Sequence, residues 1–239
     1  MIVNTNGIVL RSTRFSESSL IVKIFTMHSG VLSFMLKGAR RPGRNSKAHL
    51  YEPGRMLSLV VLKRENKNLH TIKEAALHTA QGDISGNMPK TALLFFILEL
   101  LNKCLKEEHA QEDIFHIAWH QLQLLYTADN SDLIHLPVLF MLRLAEPLGF
   151  AVPVEEKDFD YFDIQAGNFT NQLPAGAHLA AESVEYLQNV LRDEMLKAAT
   201  GKRSVRRQTL YALIDYYRYH LSDFGKLNSP AILESVLDA

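Results

Sequence analysis

The chain has 239 residues, 47% of them hydrophobic and 22% charged, a composition typical of a globular protein of one large or two modest domains. Its longest apolar run, residues 92–98, is far shorter than the ~20 residues that span a bilayer, and the N-terminus does not have the pattern of a signal peptide. The single cysteine, Cys104, excludes an internal disulfide and a multi-cysteine metal site. We therefore expect a soluble, cytoplasmic protein.

The formal net charge of zero conceals a strong asymmetry along the chain. Residues 1–78 contain thirteen Lys or Arg and four Asp or Glu, a net charge of +9, whereas the remaining residues carry −9. Such a difference between halves points to a basic module for a polyanion, joined to a more acidic module.

The basic part of the chain predicts five β-strands. Five short segments rich in Val, Ile, Leu and Phe are bounded by turn signals, and they cover residues 7–13, 19–26, 30–39, 55–63 and 69–77. In the third segment, Leu32, Phe34 and Leu36 are predicted to face one side and the residues between them the other. Five strands at this spacing suit a small barrel. The five-stranded OB-fold is the favoured interpretation, and an SH3-like barrel is the alternative that strand count does not separate from it.

Beyond this region the apolar period becomes helical. Residues 81–90, with two glycines and a proline, predict a linker. The predicted helices after it cover residues 90–108, 112–126, 132–150, 183–199, 206–224 and 229–239. We therefore predict an α+β protein of two domains: an N-terminal OB-fold β-barrel for nucleic acid over residues 1–80, and an all-helical C-terminal domain for partner binding over residues 81–239.

A basic loop is the strongest functional signal in the predicted barrel. The stretch LKGARRPGRNSK, residues 36–47, joins the third and fourth strands and contains no acidic residue. Its five cations are Lys37, Arg40, Arg41, Arg44 and Lys47. Cations this close repel one another, which favours an extended loop until a polyanion docks. A solvated basic loop without function is the alternative.

Further residues of the barrel are predicted to extend a single-stranded nucleic-acid site. Such sites combine a positive groove along the backbone with aromatic rings that stack on bases. Arg11, Arg14 and Lys23, on the first two strands and their connection, are predicted to continue the groove. Phe15 and Tyr51 lie in loop-like segments and are the candidate stacking rings.

Catalytic patterns are weak. His116 and His120 have a spacing that can bind zinc, but the glutamate of the H-E-x-x-H motif is missing. Residues 155–163 contain five acids without the glycine and ligand spacing of a calcium loop, so a surface hairpin or loop is favoured over a Mg²⁺-dependent nuclease site. No P-loop motif occurs. We therefore expect no enzymatic activity, no cofactor and no metal.

A second basic run, GKRSVRR, lies in the predicted helical domain. Arg203, Arg206 and Arg207 fall on one face of a helix. This face could extend the nucleic-acid path or receive the acidic tail of a partner protein. A solvated helix start is the alternative.

Several segments together resemble one protein family. The stretch GIVLRSTRFSESSLIVKIFTMHSGVLSFMLKGARRP is similar to the N-terminal OB-fold of the bacterial RecO family of recombination mediators, and FMLRLAEPLGF and LNSPAILESVL resemble helices of its C-terminal domain. The combination FTxxxG…KGARR is the more specific part of the match. The resemblance covers nearly the whole chain in order.

The resemblance implies a function. RecO proteins bind single- and double-stranded DNA, anneal complementary strands and, with RecR, load RecA onto strands coated by the single-stranded DNA-binding protein SSB, without enzymatic activity. The resemblance further implies a DNA-binding segment that consists of Lys37, Gly38, Ala39, Arg40 and Arg41. A nucleoid-associated location follows. The rival hypothesis is a protein-interaction module whose basic face binds acidic peptides.

The resemblance also has two implications for the helical domain. Many RecO proteins carry a four-cysteine zinc site after the LGF element, but AVPVEEKDFDYFDIQAGNFT occupies that place here, so no zinc is expected. The family's pocket for the SSB C-terminal tail lies in the helical domain. Arg143 and the pair Arg206 and Arg207 are the candidate residues of that pocket.

Overall fold

A computed structural model describes residues 1–39, 47–64, 67–78, 81–107, 109–129, 133–192 and 201–237. The chain forms two compact units: Met1–Gly86 with Leu98–Thr127, and Asn87–Ile97 with Ala128–Ala239. Among the described residues, no helix has the length and apolar character that crossing a membrane requires.

The first unit is built on one antiparallel sheet of five strands in the order β3-β2-β1-β4-β5. The strands are β1 (Ile2–Arg14), β2 (Leu20–Thr26), β3 (Gly30–Leu36), β4 (Met56–Leu62) and β5 (Thr71–Leu77). All five predicted strands are confirmed. A short 3-10 helix, Ala48–Tyr51, precedes β4.

The pairing of β1 identifies the barrel type. This thirteen-residue strand pairs with β4 from Ile2 to Ile8 and with β2 from Gly7 to Arg14, with an irregularity between Val9 and Arg11. At the two edges of the sheet, Phe34 of β3 forms a parallel bridge with His70, just before β5, and the His70 N–H donates a hydrogen bond to the Ser33 carbonyl at 2.9 Å. This is the partly open, five-stranded OB-fold, and it removes the SH3-like alternative.

The barrel core follows from alternation along the strands. Leu32, Phe34 and Leu36 face inward as predicted, and they join a core cluster that includes Val22 and Ile24. Burying this apolar surface contributes most of the free energy that holds a barrel of this size together.

One helix packs on the outer face of the sheet within the same unit. The unit contains α2 (Glu112–Thr127) and the C-terminal part of α1 (Met88–Cys104). Phe25, on the opposite face of β2 from the core cluster, contacts Phe115 of α2 with ring centroids 5.3 Å apart. Phe25 is therefore buried on this outer face rather than available to a ligand.

The second unit is mostly helical. Its described residues contain the N-terminal part of α1 and four further helices: α3 (Leu136–Ala145), α4 (Glu182–Arg192), α5 (Arg203–His220) and α6 (Ser229–Leu237). Residues 193–200, which the sequence assigns to the fourth predicted helix, lie outside the described residues.

A small sheet accompanies these helices and was not predicted. It has the order β7-β6-β8, with strands β6 (Tyr161–Asp163), β7 (Asn168–Thr170) and β8 (His178–Ala180). Strands of three residues are too short to show the alternation that predicts a strand. The sheet is fixed by aromatic packing, since the Phe162 ring lies 5.0 Å from Phe169 and 5.9 Å from Tyr216 between centroids.

Candidate nucleic-acid interface

A groove of about 1080 Å³ lies between the end of β3 and the start of β5. Five cationic side chains line it, two from the β3–β4 connection and three from β5 and the connection before it: Lys37, Lys47, Arg64, Lys67 and Lys73. All five are exposed, and within the described part of the chain none of them forms an ion pair. Clustered like charges beside low-dielectric walls create a positive potential that attracts anions.

Local backbone features hold the β3 side of the groove. Gly38 turns the chain out of β3 with a φ of +72°, a left-handed conformation that favours glycine. The Lys47 N–H donates to the Ala39 carbonyl at 3.1 Å. The two ends of the basic loop therefore meet at the groove.

The opposite side depends on a buried histidine. His70 is 3% exposed, and its ring contacts Phe34 edge-on with centroids 6.1 Å apart. Its Nδ1 accepts a hydrogen bond from the Arg64 backbone N–H at 3.2 Å. His70 therefore both bridges to Phe34 of β3 and holds the backbone of Arg64, one of the five groove cations.

The predicted groove residues do not all meet here. Lys37 and Lys47 line the groove, whereas the loop residues Arg40, Arg41 and Arg44 lie outside the described residues, so their predicted DNA contacts stay predictions.

The three cations predicted to extend the groove lie on the first two strands instead. Arg11 and Arg14 are exposed on β1, Lys23 lies on β2 opposite Arg11, and none of the three lines the groove. Lys23 donates a hydrogen bond to the carboxylate of Glu107, so its charge is already paired with an acidic side chain.

The two candidate stacking rings differ in exposure. Phe15, between β1 and β2, is 60% exposed. Tyr51 is 5% exposed and packs in the barrel core, and this burial raises the pKa of its hydroxyl. The candidate stacking ring of Tyr51 is buried in this structure, because the loop-like segment is a 3-10 helix whose last side chain is buried.

Sequence reasoning missed three groove cations, Arg64, Lys67 and Lys73. These three residues contribute to the basic charge of residues 1–78, but no sequence pattern assigned them to a site. For Arg64 and Lys67 the signal was available in principle, because the loop between the fourth and fifth strands of an OB-fold flanks its ligand face. Lys73 lies on β5, outside that loop.

A second site lies within the helical unit, between α3, α5 and α6. Pro137, Val138, Leu210 and Leu233 form its apolar part. The rim carries Arg203, Arg206 and Arg207, on the single face of α5 that the sequence predicts. Arg143 of α3 is half-buried and does not line this pocket.

Hydrogen bonds and an ion pair between described residues order the rim. The Arg207 Nε lies 2.8 Å from the Glu234 carboxylate, and the Arg206 guanidinium donates to the Gly201 carbonyl at 2.6 Å. His135, buried beside the pocket, has its Nδ1 2.8 Å from the Tyr186 hydroxyl. Burial and the nearby charge of Arg206 lower the pKa of His135. The pocket therefore combines apolar surface with a positively charged edge.

The acidic segment 155–163 has structural roles. Asp158 lies 3.5 Å from the Arg192 guanidinium, and the Asp163 carboxylate accepts the N–H groups of Gln165 and Ala166 at 2.9 Å. Among the described residues, no group of three or more His, Cys, Asp or Glu side chains is placed to hold a metal ion. Of the predicted surface hairpin or loop, residues 155–160 form a loop without helix or strand, and residues 161–163 form β6, which pairs with β7.

The fold and the groove define an OB-fold protein with a cationic ligand face, joined to a helical unit. Two family models match the chain: Recombination protein O N terminal over residues 1–80, and Recombination protein O C terminal over residues 86–229. The chain belongs to the RecO family, as its sequence motifs predict.

Relatives named DNA repair protein RecO match over full length. The protein of Christiangramia forsetii is 26% identical over 239 residues, covering 99% of both chains. Those of Porphyromonas gingivalis and Bacteroides fragilis are each 28% identical, over 249 and 243 residues, and cover 100% of both chains. The family places the chain among DNA repair proteins.

Proposed function

We propose that the protein is a non-enzymatic recombination mediator that binds single- and double-stranded DNA and anneals complementary strands. With RecR, it promotes RecA loading on SSB-coated single strands. The observation that carries this proposal is the groove of five exposed cations on an OB-fold. Arg40, Arg41 and Arg44, together with Arg11, Arg14 and Lys23, extend the proposed DNA-binding surface.

Annealing follows physically from a cationic surface. Two strands repel each other through their phosphates, and lysine and arginine side chains lower that repulsion without any bond being made or broken. Binding of this kind releases counterions and therefore weakens as salt rises. It also shows little preference for base sequence, because phosphate contacts carry no sequence information.

A salt series tests the groove directly. Fluorescence anisotropy with a labelled single strand compares the wild type with Lys67→Ala/Lys73→Ala. Lys157→Ala/Lys226→Ala, two exposed lysines of the helical unit, serves as the matched control. Each lost phosphate contact flattens the log–log salt slope by ~0.7, so the groove variant gives a weaker and flatter line. Identical lines for both variants would contradict DNA binding in this groove.

The arginine-rimmed pocket supports a second function, capture of the acidic C-terminal tail of SSB. Apolar side chains of such a tail would be buried against Val138 and Leu210. Its carboxylates would meet the rim arginines Arg203, Arg206 and Arg207. Competition between labelled SSB-tail peptide and DNA tests whether the two sites are separate. If single-stranded DNA displaces the peptide while most protein molecules still have no ligand bound, both ligands bind one surface. That result would contradict the assignment of this pocket to the SSB tail.

The absence of enzymatic activity is tested with labelled DNA and Mg²⁺. We expect intact DNA after incubation with the protein. Strand cleavage that Asp160→Ala abolishes would instead identify the acidic segment as a nuclease site, and would replace the mediator proposal with an enzymatic one.

A further inference from the structure

We propose that the groove holds DNA by its phosphodiester backbone alone and leaves the bases of the bound strand exposed for pairing. This inference rests on the proposed DNA binding and specifies which part of the ligand the protein contacts. It is carried by the side chains that line the groove and by the burial of its rings.

The lining favours phosphates over base edges. Its charged members are five lysines and arginines, and no acidic residue lies among the side chains that line it in the described part of the chain. Apart from the buried rings of Tyr51 and His70, the uncharged polar side chains in this lining are Asn68 and Thr71. Reading bases would need hydrogen-bonding groups matched to base edges, whereas phosphates need only positive charge.

The rings of the groove do not offer a stacking surface. The two rings in its described lining are Tyr51 and His70, which are 5% and 3% exposed. A base stacks only on an accessible ring face, so neither ring serves as a platform. Leu69, 37% exposed, is the most exposed of the large apolar side chains that line the groove, and it has no π-face.

Two stretches that connect groove-lining residues in the sequence lie outside the described residues, and neither contains an aromatic side chain. Residues 40–46 contain three arginines and residues 65–66 a glutamate and an asparagine, with no Phe, Tyr, Trp or His in either stretch. Phe15, the exposed ring of the barrel, belongs to the β1–β2 connection and does not line the groove.

A strand held in this way differs from one held by stacking. Stacked bases must leave the protein before they can pair, which opposes annealing. Backbone contacts keep the bases accessible to a complementary strand and are retained in the duplex, whose phosphates present the same charge. The groove therefore suits a protein that brings strands together.

An abasic ligand tests the inference. Anisotropy at one salt concentration compares a dT oligomer with an oligomer of tetrahydrofuran abasic sites of the same length and label. We expect dissociation constants within about twofold of each other, since base stacking is absent. Stacking at even one ring would weaken the abasic ligand by about fivefold or more, and that result would overturn the inference.

Variants separate the inference from the proposed function. Lys67→Ala/Lys73→Ala is expected to weaken both ligands by the same factor. If the dT oligomer binds tighter than the abasic one and Phe15→Ala abolishes that difference, Phe15 stacks on bases and the inference is wrong. If dT binds and the abasic oligomer does not, DNA binding stands while backbone-only recognition fails. If neither ligand binds, both proposals fail.

Discussion

The barrel groove and the helical pocket both present cations, but they surround them with different chemistry. The groove is lined by five exposed cations and has its rings buried, whereas the pocket has an apolar interior with three arginines at its rim. A ligand of the groove is held by charge. A ligand of the pocket is held by apolar burial and charge together. A count of basic residues therefore does not identify a ligand, whereas the surface beside those residues does.

The two sites also differ in how the chain assembles them. The arginines of the pocket follow one another on a single helix, at Arg203, Arg206 and Arg207. The cations of the groove come from two connections and from β5, and they meet because the sheet closes at Phe34 and His70. A helix brings its own residues together, whereas a barrel brings together residues that are distant in sequence.

Charge reversal in the groove gives the largest expected effect. Arg64→Glu/Lys67→Glu/Lys73→Glu replaces three attractive contacts with repulsive ones and is expected to lower single-strand affinity by at least about 100-fold at moderate salt. Affinity for an SSB-tail peptide is expected to be unchanged. Anisotropy with both ligands measures this. Equal losses for DNA and peptide would show that the two sites are not distinct, and an unchanged melting temperature confirms that the variant folds.

Removing arginines from the pocket gives the converse result. Arg203→Ala/Arg207→Ala is expected to weaken SSB-tail peptide about tenfold, because charge-assisted contacts at an exposed rim contribute roughly 1 kcal/mol or less each. DNA affinity in the barrel is expected to stay within about twofold. Isothermal titration with peptide measures the first quantity, and Arg203→Lys/Arg207→Lys, which keeps the charge, is the control. A peptide affinity insensitive to these changes would remove the pocket from the proposal.

Acid is expected to destabilise the helical unit through His135. Its folded pKa is lowered from the ordinary value of 6.5, so below that pH the unfolded chain takes up the proton before the folded one does. Stability is therefore fully present above about pH 6.5 and falls toward lower pH, by at most ~1.4 kcal/mol per pH unit for one proton. Urea unfolding at several pH values measures this. His135→Gln is expected to flatten the pH dependence, and an equally steep dependence in this variant would assign it to other groups.

The smallest expected effect concerns the ion pair of Lys23. Glu107→Gln releases Lys23, which the proposal places on the DNA-binding surface, and is expected to tighten single-strand binding two- to threefold, because exposed ion pairs contribute ~0–1 kcal/mol. Glu112→Gln is the matched control, since Glu112 faces His28 at 3.0 Å. Anisotropy at low salt measures the difference. Equal gains in both variants would mean that loss of negative charge in general, not release of Lys23, causes the effect.

Much of the fold was predictable because its signals are local. The alternation in β3 and the apolar period of α2 and α5 depend on neighbouring residues, so they identified the elements correctly. The small sheet β6–β8 was not predicted, since its strands are too short for a period and depend on packing between Phe162, Phe169 and Tyr216.

The candidate sites were predictable to different degrees for the same reason. Arg206 and Arg207 could be placed on one surface from helical spacing. Lys73 could not be assigned to the groove with Lys37, because no local pattern relates them. The burial of Tyr51 could not be predicted, because a loop-like composition does not determine which way a ring turns.

The five-stranded basic barrel, the order of the helices, the charge asymmetry and the family motifs could be predicted from the amino-acid sequence, because hydrophobic period and charge are properties of neighbouring residues. The packing of the folded chain was needed to show which cations share a groove, that Tyr51 is buried, and that apolar side chains of α3 and α6 lie beside the arginines of α5. These features depend on closure of a sheet and packing of helices, which unite residues that the chain keeps far apart.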